Sequence, residues 1–220
     1  MLRNIFCYSL ILAVSISFSG CGKAEKKPEI SEKKKEEYTL ENKLLLGSFI
    51  PFSDVKMKNV DNSWVSIDDI RGKKGTLVMI TCNHCPYVKA WNERMVDIGN
   101  TYSKKDIGVI FINSNDPEKY EADNFEGNIL AAKTLKFEFP YVVDATSEIA
   151  LSFRGSSTPE AFLFDSNGKL VYHGAVDDNS EDASKVTENY LRDALEAVLN
   201  GEEIKNKETK AIGCSIKIRT

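Results

Sequence analysis

The chain of 220 residues is long enough for one domain of ordinary size with appendages, and its 42% hydrophobic content supports a core that needs no disulfide staples. Its net charge of −4 excludes nucleic acid as the main partner, because a nucleic-acid-binding surface requires an excess of basic residues. The sequence contains five cysteines, and their positions carry most of the information about function.

The first 20 residues are typical of a bacterial lipoprotein signal peptide. Arg3 precedes a mostly apolar run from Ile5 to Phe18, which is shorter than the roughly 20 residues that a transmembrane helix needs. The run ends in "FSGC", which resembles a lipobox and predicts a lipid on Cys21. Residues 21–38, rich in Lys and Glu, predict a flexible tether. We therefore expect a protein that is lipid-anchored in a bacterial cell envelope and faces the periplasm or the outside.

Residues 39–201 predict one α/β domain that begins with a β-hairpin. The segments "FSDVKMKN" and "SWVSI" alternate in polarity across the turn residues Asp61 and Asn62. The continuous apolar runs "GTLVMI" and, at 107–113, "IGVIFIN" predict strands that are buried on both faces. Helices are predicted for "YVKAWNERMVDIGNTY", "NFEGNILAAKTLKF" and "SEIALSF", the second of them interrupted by Gly127.

The C-terminal part of this domain predicts a second hairpin and a last helix. The segments "EAFLFD" and "KLVYHG" flank a Ser-Asn-Gly turn, and the helix runs from about Ser184 to Leu199 with Gly201 as its stop. This order of elements fits a thioredoxin-like fold, in which helices flank a central mixed sheet. Residues 202–220 form a C-terminal tail.

The motif "TCNHCPY" places two cysteines between a buried strand and a helix. Pro86 fits the first turn of that helix, where its missing N–H has no intrahelical partner. We expect Cys82 to lie near the positive end of the helix dipole, which favours a thiolate, and His84 to add a cation or a hydrogen-bond donor beside it. Cys85 is expected to be more buried and to resolve the mixed disulfide that Cys82 forms.

A second segment, "SSTPEAFLFD", is predicted to face this motif. Pro159 lies just before the second hairpin, where the thioredoxin fold has a proline that is usually cis. Thr158 is then expected to offer its backbone to an extended substrate segment, in the manner of strand addition.

The cysteine count also points to thiol chemistry. Cys7 leaves with the signal peptide and Cys21 is committed to lipid, so the folded part keeps three thiols, an odd number for an oxidising compartment. The third is Cys214, on the predicted tail. Either the tail folds back and Cys214 exchanges disulfides with the motif, or Cys214 is a buried or unpaired thiol.

Two metal-binding alternatives compete with this chemistry. A structural zinc site needs four ligands, and the domain offers no second C-x-x-C, so we expect no metal and no cofactor. Copper-delivery proteins of the Sco type carry C-x-x-x-C-P and a distant histidine. Here the spacer is one residue shorter, and His173 is the only distal candidate.

A peroxidase is the third possibility. Typical peroxiredoxins carry P-x-x-x-T-x-x-C, but Met79 stands at the threonine position when counted from Cys82, and Cys82 stands there when counted from Cys85. Arg154 is a candidate for an active-site arginine, although "SFRGSS" is more simply a loop.

From about Leu46 to the C-terminus the sequence resembles the redoxin (AhpC/TSA-like) thioredoxin-fold family, in its peroxiredoxin-like bacterial branch. The segments that carry the resemblance are "LLLGSFIPFSD", "TCNHCPYVKAW", "FINSND", "TPEAFLFDSNGKLVYHGAVDD" and "AIGCSIK". The resemblance implies a thioredoxin fold with an extra N-terminal β-hairpin and a redox-active cysteine pair. We therefore predict a membrane-anchored thiol–disulfide oxidoreductase, whose partners are protein thiol or disulfide substrates and a redox partner. A thiol-dependent peroxidase and a Sco-like copper protein remain the alternatives.

Overall fold

The computed structural model describes residues 44–219. The predicted signal peptide, the tether at 21–38 and the lipid site Cys21 lie outside the described residues. Within the described part of the chain, no helix combines the length and the apolar composition that a membrane crossing requires.

A seven-stranded mixed sheet forms the centre of the domain. In chain order the strands are β1 (Met57–Asn59), β2 (Trp64–Val65), β3 (Gly75–Thr81), β4 (Ile107–Asn113), β5 (Tyr141–Val143), β6 (Ser157–Thr158), β7 (Glu160–Asp165), β8 (Leu170–Gly174) and β9 (Cys214–Ser215). The large sheet has the order β2-β1-β5-β4-β3-β7-β8, and β6 pairs separately with β9. Strands β3, β4 and β5 are parallel and the remaining pairs are antiparallel. The thioredoxin-like fold and its extra N-terminal hairpin are thus confirmed.

Helices cover both faces of this sheet. They are α1 (Pro86–Tyr102), α2 (Phe125–Leu135), α3 (Glu148–Ser152) and α4 (Tyr190–Asn200). All seven residues of β3 and of β4 are buried, as the continuous apolar runs predict. Alternate residues of β3 enter two different clusters: Leu77 and Met79 pack with α1 and α4, whereas Val78 and Ile80 pack on the opposite face with α3.

Helix α1 follows directly from the sequence pattern. The five residues predicted to share its inner face are all buried: Val88, Trp91, Met95, Ile98 and Tyr102. Pro86 is the first helical residue and Cys85 is the N-cap. The helix therefore begins immediately after the second cysteine of the motif.

The last helix begins six residues later than predicted. Ser184 lies in a short 3₁₀ turn, after which Val186 is extended (φ −65°, ψ 124°). The carboxylate of Asp178 accepts hydrogen bonds from both the backbone N–H (3.0 Å) and the hydroxyl group (2.5 Å) of Thr187. These bonds hold the segment extended, so α4 begins only at Tyr190 and ends before Gly201, which has a φ of +71°.

The predicted interruption at Gly127 is wrong, because α2 is continuous through it. Asn124 caps the helix by accepting a hydrogen bond from the N–H of Gly127 at 2.7 Å. A Cβ at position 127 would lie 2.3 Å from the carbonyl oxygen of Ala122. This glycine therefore allows a close approach of the backbone in the first turn.

The tail beyond α4 returns to the domain and is anchored at two places. Upstream, the N–H of Thr209 donates to the carbonyl oxygen of His173 on β8 (3.0 Å). Downstream, the N–H of Lys217 donates to Oδ1 of Asn115 (2.8 Å), at the end of β4. Between these anchors lies β9, which contains Cys214.

Candidate active site

Three segments meet at the carboxyl end of β3. Cys82 follows that strand, Cys85 caps α1, and the loop from Ser157 to Pro159 faces them. The cysteines are buried, with exposed fractions of 1% for Cys82 and 0% for Cys85. Cys85 was expected to be the more buried of the two, and the structure gives the two cysteines nearly equal burial.

Thr158 contacts both cysteines of the motif. Its Oγ1 lies 3.3 Å from the Sγ of Cys82, and its carbonyl oxygen lies 3.2 Å from the Sγ of Cys85. The peptide bond between Thr158 and Pro159 is cis, in agreement with the expectation for this position. The structure thus brings Cys82 and Cys85 together with Thr158 and Pro159, as predicted.

The third cysteine of the domain joins this group. The Sγ of Cys214 lies 2.8 Å from the Sγ of Cys85, and none of the three cysteines is in a disulfide. In the ladder between β6 and β9, Cys214 stands opposite Thr158 and Ser215 stands opposite Ser157. The backbone edge that was predicted to receive a substrate strand is therefore paired with the protein's own tail.

The three cysteines differ in the pKa of their thiol groups. Hydrogen bonds from Cys82, from Cys214 and from the N–H of Val88 lower the pKa of Cys85 to about 4, against an opposing effect of burial. The pKa of Cys82 is raised by its hydrogen bond to Cys85 and by burial. Burial and the contact with Cys85 raise the pKa of Cys214 to about 11. A thiol at Cys85 would donate to the carbonyl oxygen of Thr158, whereas a thiolate accepts from both neighbouring sulfurs, and we assign the thiolate state.

This assignment differs from the sequence-based expectation that Cys82 carries the thiolate. The N-terminal end of α1, where backbone N–H groups and the helix dipole favour an anion, lies at Cys85. Cys82 lies four residues before the first helical residue, Pro86, and is close enough to the buried carboxylate of Asp123 for that charge to raise its pKa further. The hydrogen bonds from Cys82 and Cys214, together with the N–H of Val88 at the helix start, therefore favour ionisation of Cys85.

Asp123 organises the residues between the two cysteines. Its carboxylate accepts from the N–H of Asn83 (2.6 Å) and lies 2.5 Å from Nδ1 of His84. It also accepts from the side-chain amide of Asn115 (3.0 Å) and is 1% exposed. His84 therefore points to a carboxylate, and its ring stacks on Tyr120 with 3.7 Å between the centroids.

Asn83 is fixed by a second set of contacts. Its side-chain nitrogen, Nδ2, donates to the side-chain oxygen of Asn128 (2.6 Å), and its side-chain oxygen accepts from the hydroxyl group of Tyr141 (2.9 Å). Sequence reasoning missed Asp123, Asn128 and Tyr141. Of this network, only Asn113 and Asn115 in "FINSND" could be placed near the motif from the sequence. They lie at the end of β4, a parallel strand beside β3, and so reach the same edge of the sheet.

Family membership is decided by comparison with known proteins. The sequence model of the AhpC/TSA family matches residues 50–173, which is more than half of the chain. The chain belongs to the AhpC/TSA family. No curated protein matches it significantly.

Solved structures resemble this AhpC/TSA family member along most of its length. An uncharacterized conserved protein from Geobacillus kaustophilus is 36% identical, with 81% of this chain and 94% of that chain covered and a TM-score of 0.75. A hypothetical protein from Sinorhizobium meliloti is 28% identical, with 81% and 97% covered and the same TM-score of 0.75. A domain from Bacteroides thetaiotaomicron, provisionally named as part of a thiol-disulfide oxidoreductase, is 20% identical, with 73% and 99% covered and a TM-score of 0.52, and shares the fold.

Glu160, the residue after the cis proline, holds the segment that leads into Thr158. Glu160 is 2% exposed, and its Oε1 lies 2.5 Å from Nε2 of His173. Its Oε2 accepts from the N–H groups of Ser156 (2.7 Å) and Ser157 (3.1 Å). Glu160 thereby fixes the backbone that leads into Thr158.

One group of side chains has donor atoms that a metal ion could use. Cys82, His84 and Asp123 offer ligand atoms that all lie within 4.8 Å of one another. His84 and Asp123 already contact each other, which accounts for their positions without an ion. His173, which the copper alternative requires, is bonded to Glu160 and does not belong to this group. The geometry therefore does not support the copper alternative.

Proposed function

We propose that this protein is a thiol–disulfide oxidoreductase that exchanges disulfides with protein thiols. The observation that carries the proposal is the position of Cys85 at the start of α1, three residues after Cys82 and with its Sγ 2.8 Å from the Sγ of Cys214. The lowered pKa of Cys85 supports it. A low thiol pKa and a second sulfur within reach are the two requirements for reversible disulfide exchange. Membership of the AhpC/TSA family is consistent with thiol chemistry.

The exchange conserves electrons between protein and client. When a client disulfide is reduced, two protein thiols become the Cys82–Cys85 disulfide, and the client sulfurs leave as two thiols with the two protons. In the opposite direction, two client thiols become a client disulfide and the protein regains its dithiol. The thiolate at Cys85 stabilises the reduced protein, which favours the second direction.

The surroundings of the sulfurs support specific roles. The hydroxyl group of Thr158 lies 3.3 Å from the Sγ of Cys82 and lowers the pKa that the contact with Cys85 and burial raise. His84 and Asn83, both held by Asp123, fix the two-residue spacer between the cysteines. These three are positioning residues, because they act through the sulfur atoms.

Insulin reduction by dithiothreitol tests the proposed function. The full chain is used with Cys7→Ser and Cys21→Ser in every variant, so that the three clustered thiols are the only ones present. The parent is expected to accelerate insulin precipitation, and Cys85→Ser to abolish the acceleration, because Cys85 contacts both other sulfurs. Tyr87→Phe, a change at an exposed neighbouring residue, is the matched control. A Cys85→Ser variant as active as the parent would refute the proposal.

Peroxide reduction is the second candidate, and one observation favours it. Cys85 is the helix N-cap and is followed by Pro86, so a thiolate stands where a helix N-terminus stabilises the anion. Two features differ from a typical peroxiredoxin. Cys82 occupies the place of the threonine in the peroxiredoxin motif, and no arginine is among the hydrogen-bond partners of the sulfur atoms in residues 44–219. Consumption of hydrogen peroxide with a thiol donor, lost in Cys85→Ser, would establish this activity.

We also propose that Cys21 anchors the protein in the cell envelope. The proposal is supported by the "FSGC" segment and by the charged residues that follow it. Detergent-phase partitioning of the protein expressed in a bacterium is the test. The parent is expected in the detergent phase and Cys21→Ser in the aqueous phase. Equal partitioning of the two would exclude the lipid anchor.

A further inference from the structure

The tail places a thiol where a client would be expected to bind. Strand β9 pairs with the edge strand β6 in antiparallel register, with Cys214 directly opposite Thr158. Strand addition next to the cis proline is the binding mode predicted for an extended substrate segment. The tail thus binds its own domain in the way a client would, and it presents a cysteine to Cys85.

The backbone around Cys214 is shaped for this contact. A Cβ at Gly213 would lie 2.1 Å from the carbonyl oxygen of Thr158, so only glycine allows the tail to approach so closely. Ser215 is exposed on the opposite side of the strand, because successive side chains of a strand point to opposite faces. Cys214 is consequently the residue of β9 that is directed at the sulfur pair.

Accessibility distinguishes the three thiols. Cys82 and Cys85 are 1% and 0% exposed, whereas Cys214 is only partly buried. Of the three residues, Cys214 is therefore the one that keeps surface for a client to meet.

We propose that Cys214 is a third redox-active thiol, which forms a disulfide with Cys85 and is the sulfur that exchanges with client proteins. This inference rests on the proposed function and extends it from a two-cysteine to a three-cysteine site. The client class is a protein or peptide that carries two thiols.

The relay has three balanced steps. First, the thiolate of Cys214 attacks the Sγ of Cys85 in the Cys82–Cys85 disulfide, which forms the Cys85–Cys214 disulfide and releases Cys82 to take up a proton. Second, a client thiolate attacks the Sγ of Cys214 and releases Cys85 as a thiolate. Third, the other client thiolate attacks the mixed disulfide at the client sulfur, which forms the client disulfide and releases Cys214 to take up a proton. Two client thiols are oxidised and one protein disulfide is reduced.

The chemistry of the leaving group favours this order. In a disulfide exchange, a thiol of lower pKa leaves faster. In the second step, attack of the client on Cys214 releases Cys85, the sulfur with the low pKa, whereas attack on Cys85 of the same disulfide would release Cys214, whose pKa is raised. Entry through Cys214 therefore combines the accessible sulfur with the better leaving group.

Disulfide mapping tests whether the third thiol forms the predicted bond. The full chain with Cys7→Ser and Cys21→Ser is oxidised with stoichiometric diamide, the remaining thiols are alkylated, and the linked peptides are identified by mass spectrometry. With Cys82→Ser added, a Cys85–Cys214 disulfide is expected. The matched control moves the thiol by one residue, with Cys214→Ser and Ser215→Cys in the same background, and is expected to stay unlinked. If Cys85 and Cys214 both remain alkylated as free thiols, or if the shifted thiol links equally well, the inference is overturned.

Single-turnover oxidation of a fluorescent peptide with two cysteines tests the route. The diamide-oxidised parent is expected to oxidise the peptide at least about tenfold faster than Cys214→Ser, because the buried Cys82–Cys85 disulfide is then the only one available. An unchanged or faster rate in Cys214→Ser would show that the tail merely covers the pair, and would overturn the relay alone. If Cys214→Ser forms no Cys82–Cys85 disulfide and neither protein reacts, the proposed function falls together with the relay.

Discussion

The carboxylate of Asp123 lies 2.5 Å from Nδ1 of His84, although 39 residues separate them in the chain. The same carboxylate accepts from the backbone of Asn83, so one buried group holds both residues of the spacer between the cysteines. This contact links the turn after β4 to the redox motif. Asp123 is therefore the main candidate for a positioning residue outside the cysteine motif.

Asp123→Ala is expected to lower the free energy of unfolding by about 2–4 kcal/mol. The substitution leaves the N–H of Asn83 and the buried amide of Asn115 without their acceptor, and unsatisfied buried groups are costly. Chemical denaturation measures the change. Glu121→Ala, an exposed carboxylate in the same turn, is the control and is expected to change stability by less than about 0.5 kcal/mol. Equal effects of the two substitutions would contradict the role of Asp123.

Titration of the reduced protein is expected to show one thiolate at neutral pH. The pKa of Cys85 is lowered to about 4, so ultraviolet thiolate absorbance should rise as the pH rises through that value. The other two sulfurs should ionise only at alkaline pH, since the pKa of Cys82 is raised and that of Cys214 is about 11. Cys85→Ser should lack the acid transition, and Cys214→Ala should shift it upward by removing a hydrogen bond. A single transition near the ordinary thiol value of about 8.5 would contradict the assignment.

Gly213→Ala is expected to slow formation of the Cys85–Cys214 disulfide at least about tenfold. The added methyl group would meet the backbone of Thr158, which cannot move aside as a flexible side chain could, and overpacking of this kind typically costs about 1–3 kcal/mol. The rate is measured by quenched alkylation after addition of diamide to the Cys82→Ser protein. Ile212→Ala, at the exposed preceding residue, should leave the rate unchanged. The expectation fails if the two variants react alike.

Glu160→Ala is expected to lower the free energy of unfolding by about 2–4 kcal/mol, and Glu160→Gln by less. Alanine removes the acceptor of the N–H groups of Ser156 and Ser157 and leaves His173 without its buried partner. Glutamine keeps one side-chain oxygen for the backbone. Denaturant titration compares both with Glu202→Ala, an exposed carboxylate beyond α4. Indistinguishable midpoints for the three variants would exclude a supporting role for Glu160.

Much of the fold could be predicted because its periodicity is strong. Continuous apolar runs identified β3 and β4, and the spacing of Val88, Trp91 and Met95 identified α1. The start of α4 was placed too early, since Val186 fits the helical pattern while the side chain of Asp178 holds Thr187 in an extended conformation. Strand β5 has only three residues and depends on neighbours on both sides, which a local pattern does not reveal.

The site was predictable only in its local part. The motif and the Thr158–Pro159 pair are short segments with recognisable chemistry, and the structure brings them together. Asp123 and Asn128 gave no signal, because their role depends on contacts 39 to 45 residues away in the chain. The site of ionisation was predicted for Cys82, since the sequence does not show that Cys85 receives hydrogen bonds from both other sulfurs.

The tail is held by two anchors, the bond of Thr209 to β8 and the bond of Lys217 to Asn115, and these have a kinetic consequence. A thiol held between two fixed points meets its partner at an effective concentration far above that of any small thiol in solution. Glutathione at millimolar levels should therefore compete poorly with Cys214 for Cys85. The protein would keep its own exchange partner at hand and remain largely insensitive to fluctuations in the surrounding thiol pool.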